Sequence, residues 1–147
     1  MSSEYDNLKL EHQLCFPLYA ASREVIKQYG PYLKALNLTY TQYITMMAVW
    51  EEGVISVKEL GNKLFLDSGT LSPVLKSLES KNYIRRFRSS EDERVLLVEA
   101  TPEGETLRKQ AAHVPEQVAS CIDLEEEEAA QLYGLLYKVL SGLSQKG

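Results

Sequence analysis

Apolar residues recur at steps of three and four through most of the chain. They are interrupted by a single segment rich in β-branched and aromatic residues, so the pattern is mainly helical with one small strand region. Between Leu8 and Tyr29, the positions Cys15, Leu18, Ala21, Val25 and Tyr29 mark one face of a first helix, which Gly30 and Pro31 end. Pro17 lies inside that span, removes a backbone donor and predicts a kink just beyond Cys15. A second helix opens at Thr39, where Thr39 and Gln42 form a capping box and Leu38 staples against Tyr43, and it continues through Ile44, Met47, Ala48 and Trp50 to Gly53. Ser56 with Glu59 repeats the capping signature for a third helix, whose stripe is Val57, Leu60 and Leu64. Asp67 caps a fourth helix that runs through Leu71, Val74, Leu75 and Leu78 to Asn82. Tyr83 to Arg88 and Arg94 to Ala100 then read as two strands, turned by the polar run Ser89 to Glu93. Thr101 and Pro102 start a helix striped by Leu107, Ala111, Val114, Val118 and Cys121, with Pro115 a bend. A last helix opens at Asp123, places the acidic run Glu125 to Glu128 at its positive end, and carries Leu132, Leu136, Val139 and Leu143.

Helix, helix, hairpin is the order of a winged helix-turn-helix, and that order points to duplex DNA. The outer face of the fourth helix is Ser68, Thr70, Ser72 and Lys76: small hydroxyls and a lysine that reach base edges and phosphates without blocking entry to the major groove. The hairpin brings Arg86, Arg88 and, across its turn, Asp92 and Arg94, placed to put an arginine into the adjacent minor groove. The expected fold class is mainly α with a small β-hairpin wing (α+β). Residues 1–147 form a single domain, in which 39–101 are the reading head and 1–38 and 102–147 are dimerisation helices. The terminal helices carry more apolar surface than the head can cover, so they are expected to cover each other across a two-fold axis. A homodimer pairs its recognition helices about 34 Å apart and reads a palindromic operator.

At 147 residues, with 44% hydrophobic and 25% charged residues, the chain can bury a core. It has no long apolar run for a membrane span, and Met1 to Glu4 lack the basic and apolar regions of a signal peptide, so a cytoplasmic protein with no membrane partner is expected. The net charge is −5, but Lys76 to Ser90 hold five basic residues against Glu79 alone. A basic face on an acidic body suits site-selective DNA binding, although a winged helix on an acidic chain is also compatible with a protein-interaction module. Two distant cysteines make no disulfide framework, two histidines without cysteine spacing make no zinc site, and there is no phosphate loop or Ser/His/Asp set. No metal, cofactor or enzyme activity is expected.

Cys15 lies on an apolar stripe, where a cysteine is ordinarily a small buried hydrophobe. Tyr29 shares its face but lies about 21 Å further along the same helix and cannot reach it. If first helices cross antiparallel in a dimer, Tyr29 and Tyr40 of the partner subunit approach Cys15. A phenol hydroxyl that donates to a thiolate favours the charged, reactive form.

The runs Leu14-Cys15-Phe16, Leu38-Thr39-Tyr40, Leu66 to Pro73 and Glu91-Asp92-Glu93-Arg94 together resemble the MarR family of transcriptional regulators, specifically its organic-hydroperoxide-sensing OhrR-type branch. The resemblance covers nearly the whole chain, and Cys15 with Tyr29 and Tyr40 separates this branch from the rest. It implies that Cys15 is the peroxide-reactive thiol, that the two tyrosines hydrogen-bond to it from the other subunit, and that Asp92 orients Arg94 at the wing tip. It also implies either a mixed disulfide with a low-molecular-weight thiol or an intersubunit disulfide with Cys121 as the candidate resolving residue; Cys121 as a core residue on the Val114, Val118 stripe is the competing reading. The expected function is therefore a repressor released from its operator when an organic hydroperoxide oxidises Cys15. The alternatives are a MarR-type repressor released by a lipophilic or phenolic ligand, with Cys15 structural, and, further off, a thiol peroxidase.

Overall fold

The computed structural model describes residues 4–144; the outermost ends of the expected domain, residues 1–3 and 145–147, lie outside the described residues. Two single 3-10 turns, Asp6–Leu8 and Leu10–His12, lead into α1 (Cys15–Ala35), α2 (Tyr40–Glu52), β1 (Val54–Ser56), α3 (Val57–Leu64) and α4 (Ser68–Ser80). The chain continues through β2 (Ile84–Arg88), β3 (Leu96–Ala100), α5 (Pro102–Ala111), α6 (Val114–Ala119) and α7 (Glu126–Ser144). The winged helix-turn-helix expected from the sequence is present, with α3 and α4 as the helix pair and β2–β3 as the wing.

Helix starts follow the capping residues. The Thr39 hydroxyl accepts from the Gln42 amide at 3.2 Å while the Gln42 side-chain oxygen accepts from the Thr39 amide at 3.1 Å, completing the box. Ser56 accepts from the Glu59 amide at 3.1 Å, Asp67 from the Thr70 amide at 2.7 Å, and Thr101 from the Gly104 amide at 3.0 Å.

The centre of the molecule is α2, with Tyr43, Met46, Ala48, Val49 and Trp50 all buried. Around it pack Leu33 of α1, Leu60 of α3, Leu71, Leu75 and Leu78 of α4, Val98 of β3, and Leu107, Val114 and Val118 of the helices after the wing. Each fully buried aliphatic side chain stabilises the fold by about 1.5–3 kcal/mol, so this cluster fixes how α4 and the wing sit on the body. Buried polar groups are satisfied: the Trp50 indole donates to the Gly104 carbonyl at 3.0 Å and the Thr45 hydroxyl to the Thr41 carbonyl at 2.7 Å. At Gly104 a side-chain carbon would collide with the Tyr83 carbonyl oxygen, so only glycine lets α5 start against the wing.

Four features depart from the sequence reading. First, α1 begins at Cys15 rather than Leu8, and Pro17 falls in its first turn, where its missing N–H has no intrahelical acceptor and causes no kink. Second, α1 passes through Gly30 and Pro31 and ends at Ala35; Pro31 deprives only the carbonyl of exposed Lys27 of its partner. Third, β1 adds a strand, so the hairpin is part of a three-stranded antiparallel sheet of order β1-β3-β2, with Ile55 opposite Val98 and Phe87 opposite Leu97. Fourth, the helix expected from Thr101 to Cys121 is two helices, because Pro115 cannot donate to Ala111 and the chain breaks between α5 and α6. Cys121 follows α6 and is exposed, which sets aside its reading as a core residue within this chain.

Candidate nucleic-acid interface and thiol site

Asp67 places the first turn of α4. Its carboxylate holds the Thr70 amide, and hydrogen bonds from Thr70 hold its pKa below the ordinary carboxylate value. Ser68, Thr70 and Lys76 are exposed along α4, whereas Ser72 is half-buried, turned partly toward the body. Leu71, Leu75 and Leu78 bind the opposite side of the helix to the core, so its hydroxyl-rich face points outward.

The wing carries its cations in three states. Arg94, at the tip, has a side chain 90% exposed, and its guanidinium is clamped by Asp92 through two bonds of 3.0 and 3.2 Å. The Asp92 carboxylate also accepts from the Arg94 amide, and these bonds lower its pKa, so the tip keeps its shape wherever Asp92 is ionised. Arg88 is exposed on β2. Arg86 is only 20% exposed: it bonds to Glu79 of α4 at 3.0 and 3.3 Å and fastens the wing to the recognition helix. Arg85 pairs with Glu99 and lies over the Phe87 ring, 4.2 Å from its centre. The open cationic surface is therefore Lys76, Arg88 and the clamped Arg94, narrower than the basic run of the sequence implies.

The thiol site is split between two ends of α1. Cys15 is the first residue of the helix and is exposed. The apolar pattern places it inside a helix that begins at Leu8; in the structure it opens α1, so the positive end of the helix dipole lies at this residue. Tyr29 lies far along the same helix and packs against Tyr40, the first residue of α2, with ring centres 5.0 Å apart and planes inclined by 58°. The structure thus brings Tyr29 and Tyr40 together and does not bring Cys15 of the same chain to them.

Sequence reasoning missed the third member of this cluster, Tyr43, whose ring lies 5.6 Å from Tyr29 and 6.3 Å from Tyr40. The signal was present: Tyr43 follows Tyr40 by three residues, on the same face of a helix. Burial raises the pKa of Tyr29; burial and then Tyr29 raise that of Tyr40; and burial, Tyr29 and Tyr40 push Tyr43 up to about 12. All three phenols remain protonated at neutral pH and can donate.

Cys121 sits in the turn after α6, its amide bonded to the Val118 carbonyl at 2.9 Å and its sulfur 3.6 Å from the Gln117 carbonyl. Both cysteines are free thiols. Among the described residues no cluster of His, Cys, Asp and Glu could hold a metal ion, and no helix is long and apolar enough to cross a membrane.

Comparison with known proteins agrees with this architecture. A family model described as transcriptional regulator SarA/Rot matches residues 27–111. The organic hydroperoxide resistance transcriptional regulator of Bacillus subtilis is 44% identical over 146 residues, 99% of each chain. Reduced AbfR bound to DNA matches with a TM-score of 0.77 at 31% identity over 97% of this chain and 98% of that one. The same AbfR, from Staphylococcus epidermidis, is also solved in a disulfide form, with a TM-score of 0.66 at 32% identity over 95% and 96% of the two chains. The reduced form of MarR from Escherichia coli matches with a TM-score of 0.69 at 26% identity over 87% of this chain and 96% of that one. Fold and reading head define a winged-helix transcriptional regulator. The chain belongs to the MarR family, with a SarA/Rot-type core, and within that family to the OhrR-type organic-hydroperoxide-sensing branch.

Proposed function

We propose that this protein is a homodimeric, cytoplasmic repressor, not an enzyme, that holds a palindromic operator when reduced and releases it when an organic hydroperoxide oxidises Cys15. The observation that carries this reading is the division of the thiol site: an exposed Cys15 at the start of α1 and a Tyr29–Tyr40 donor pair in ring contact some 21 Å along it. Two antiparallel copies of α1 complete the site twice, each thiol meeting phenols of the partner subunit. The dimer seam is supplied by the start of α1 and by α7, where Leu14, Phe16, Leu18, Leu132, Leu135 and Leu143 are all exposed in the single chain. The disulfide form and the reduced, DNA-bound form of AbfR support a thiol-controlled regulator of this build.

In the proposed reaction the Cys15 thiolate attacks the distal oxygen of the hydroperoxide. A sulfur–oxygen bond forms, the oxygen–oxygen bond breaks, and the departing alkoxide takes a proton and leaves as the alcohol. The resulting sulfenic acid is attacked by the thiolate of Cys121 of the partner subunit, or of a low-molecular-weight thiol; a disulfide forms and the hydroxide leaves as water. The sulfur then no longer accepts the phenol hydrogen bonds as a thiolate, the seam repacks, and the two α4 helices lose the spacing that the operator requires. A penalty of about 3 to 4 kcal/mol suffices to lower affinity a few hundredfold.

On DNA, Ser68, Thr70 and Ser72 of α4 face the major groove, Lys76 and Arg88 meet phosphates, and Arg94, aimed by Asp92, enters the minor groove, with Arg86 holding the wing at its angle. Operator binding by the wild type and Cys15→Ser, each with and without cumene hydroperoxide, tests the sensing role. The wild type is expected to dissociate and Cys15→Ser to stay bound; equal dissociation of the two overturns it.

A further inference from the structure

Gln42 joins the tyrosine end of the thiol site to the recognition helix. It is the third residue of α2, two after Tyr40 and one before Tyr43, and only 8% exposed. Its side-chain oxygen accepts from the Thr39 amide at 3.1 Å and from the Lys81 ammonium at 2.8 Å, and its side-chain nitrogen donates to the Ser77 hydroxyl at 2.9 Å. Chemistry fixes the orientation of the amide, since an ammonium and a backbone N–H can only donate, so the oxygen must face them and the nitrogen must face Ser77. Lys81 also donates to the Asn37 carbonyl at 2.6 Å in the turn between α1 and α2. One half-turn of α2 and the α1–α2 turn therefore grip α4 at Ser77 and its cap Lys81, and Ser77 directly follows the exposed Lys76.

We propose that Gln42 is a positioning residue that transmits the state of the Tyr29–Tyr40 pair to α4. This relay rests on the redox reading above. Tyr40 is the first residue of α2, so a displacement of its backbone carries the first turn of the helix, and Thr39 and Gln42 belong to the capping box of that turn. If that turn shifts while α4 stays in place, the buried Gln42 amide loses the Ser77 hydroxyl and the Lys81 ammonium as partners where little water can replace them, which is costly. The lower-energy response is for the end of α4 to follow α2, which rotates the reading face. A single polar side chain is well suited to this coupling, because its hydrogen bonds are directional where the surrounding leucine contacts can slide.

The test compares operator affinity before and after stoichiometric oxidation by cumene hydroperoxide, with Cys15 oxidation verified by mass in each protein. Gln42→Leu is expected to react with the peroxide as the wild type does and to lose at least about tenfold of the reduced-to-oxidised affinity ratio. Gln42→Glu is expected to keep the wild-type ratio, because both carboxylate oxygens accept and the Ser77 hydroxyl can turn to donate. Should Gln42→Leu fail to fold, Ser77→Ala and Lys81→Met each remove one arm and are expected to reduce the ratio by smaller steps. An unchanged ratio in every folded variant overturns the relay alone. A wild type whose affinity is indifferent to oxidation overturns the redox reading and the relay with it.

Discussion

Arg94 and Lys76 are both exposed cations, but their surroundings assign them different work. Arg94 is aimed by a two-bond clamp at the tip of a hairpin, whereas Lys76 stands on α4 as a mobile point charge. Arg94→Ala is expected to weaken binding about tenfold at operators with A·T-rich flanks, where the minor groove is narrow and negative, and less elsewhere. Lys76→Ala is expected to weaken all sequences alike and to reduce the salt slope by about one, as measured by titrating a panel of duplexes at several salt concentrations. The tyrosine cluster gives an alkaline signature. The Tyr43 phenol titrates at about 12 in the fold against 10.0 for the free group, so the folded state holds its proton more tightly than the unfolded chain. The stability this confers is whole below pH 10 and is lost as pH rises through about 12. Denaturant titrations are expected to show the wild type losing more stability than Tyr43→Phe as the pH rises from 10.0 through about 12, with the two declining alike below that window.

Among the elements, α4 and β2 are joined by the Arg86–Glu79 pair. Arg86 lowers the pKa of Glu79, so the pair persists wherever ordinary carboxylates are ionised. Glu79→Gln removes the charge that holds Arg86 and is expected to reduce operator affinity severalfold while leaving the thermal midpoint nearly unchanged, since exposed ion pairs contribute at most about 1 kcal/mol. Melting curves and binding isotherms on one preparation would check the two halves of that expectation. Capping residues made these elements legible: Thr39, Ser56, Asp67 and Thr101 each begin a helix where the sequence places them, because a cap is a local contract between neighbours. Prolines misled for the complementary reason. Their cost depends on which carbonyl loses its partner, and position along the helix decides that: Pro17 costs nothing in a first turn, Pro31 affects one exposed carbonyl, and Pro115 divides a helix. The strand β1 left no periodic trace because three residues are too few to show alternation. The proposed thiol site is assembled from the sequence as a set of residue types; the contact of Tyr29 with Tyr43 and the Arg86–Glu79 pair depend on which faces meet in space.

The whole molecule is acidic, and much of its exposed apolar surface lies on α1 and α7. If the resolving route runs through Cys121, the peroxide-treated wild type is expected to migrate as a covalent dimer on a non-reducing gel, and Cys121→Ser as a monomer. A covalent dimer formed equally by Cys121→Ser would reject that route. The sheet adds a property of solubility. In the order β1-β3-β2 the middle strand is sealed on both sides, one edge is only three residues long, and the other carries Arg85, Arg86 and Arg88. Short or heavily charged margins resist zipping onto a neighbour, so neither margin of the wing is a ready seam along which a second chain would extend the ribbon.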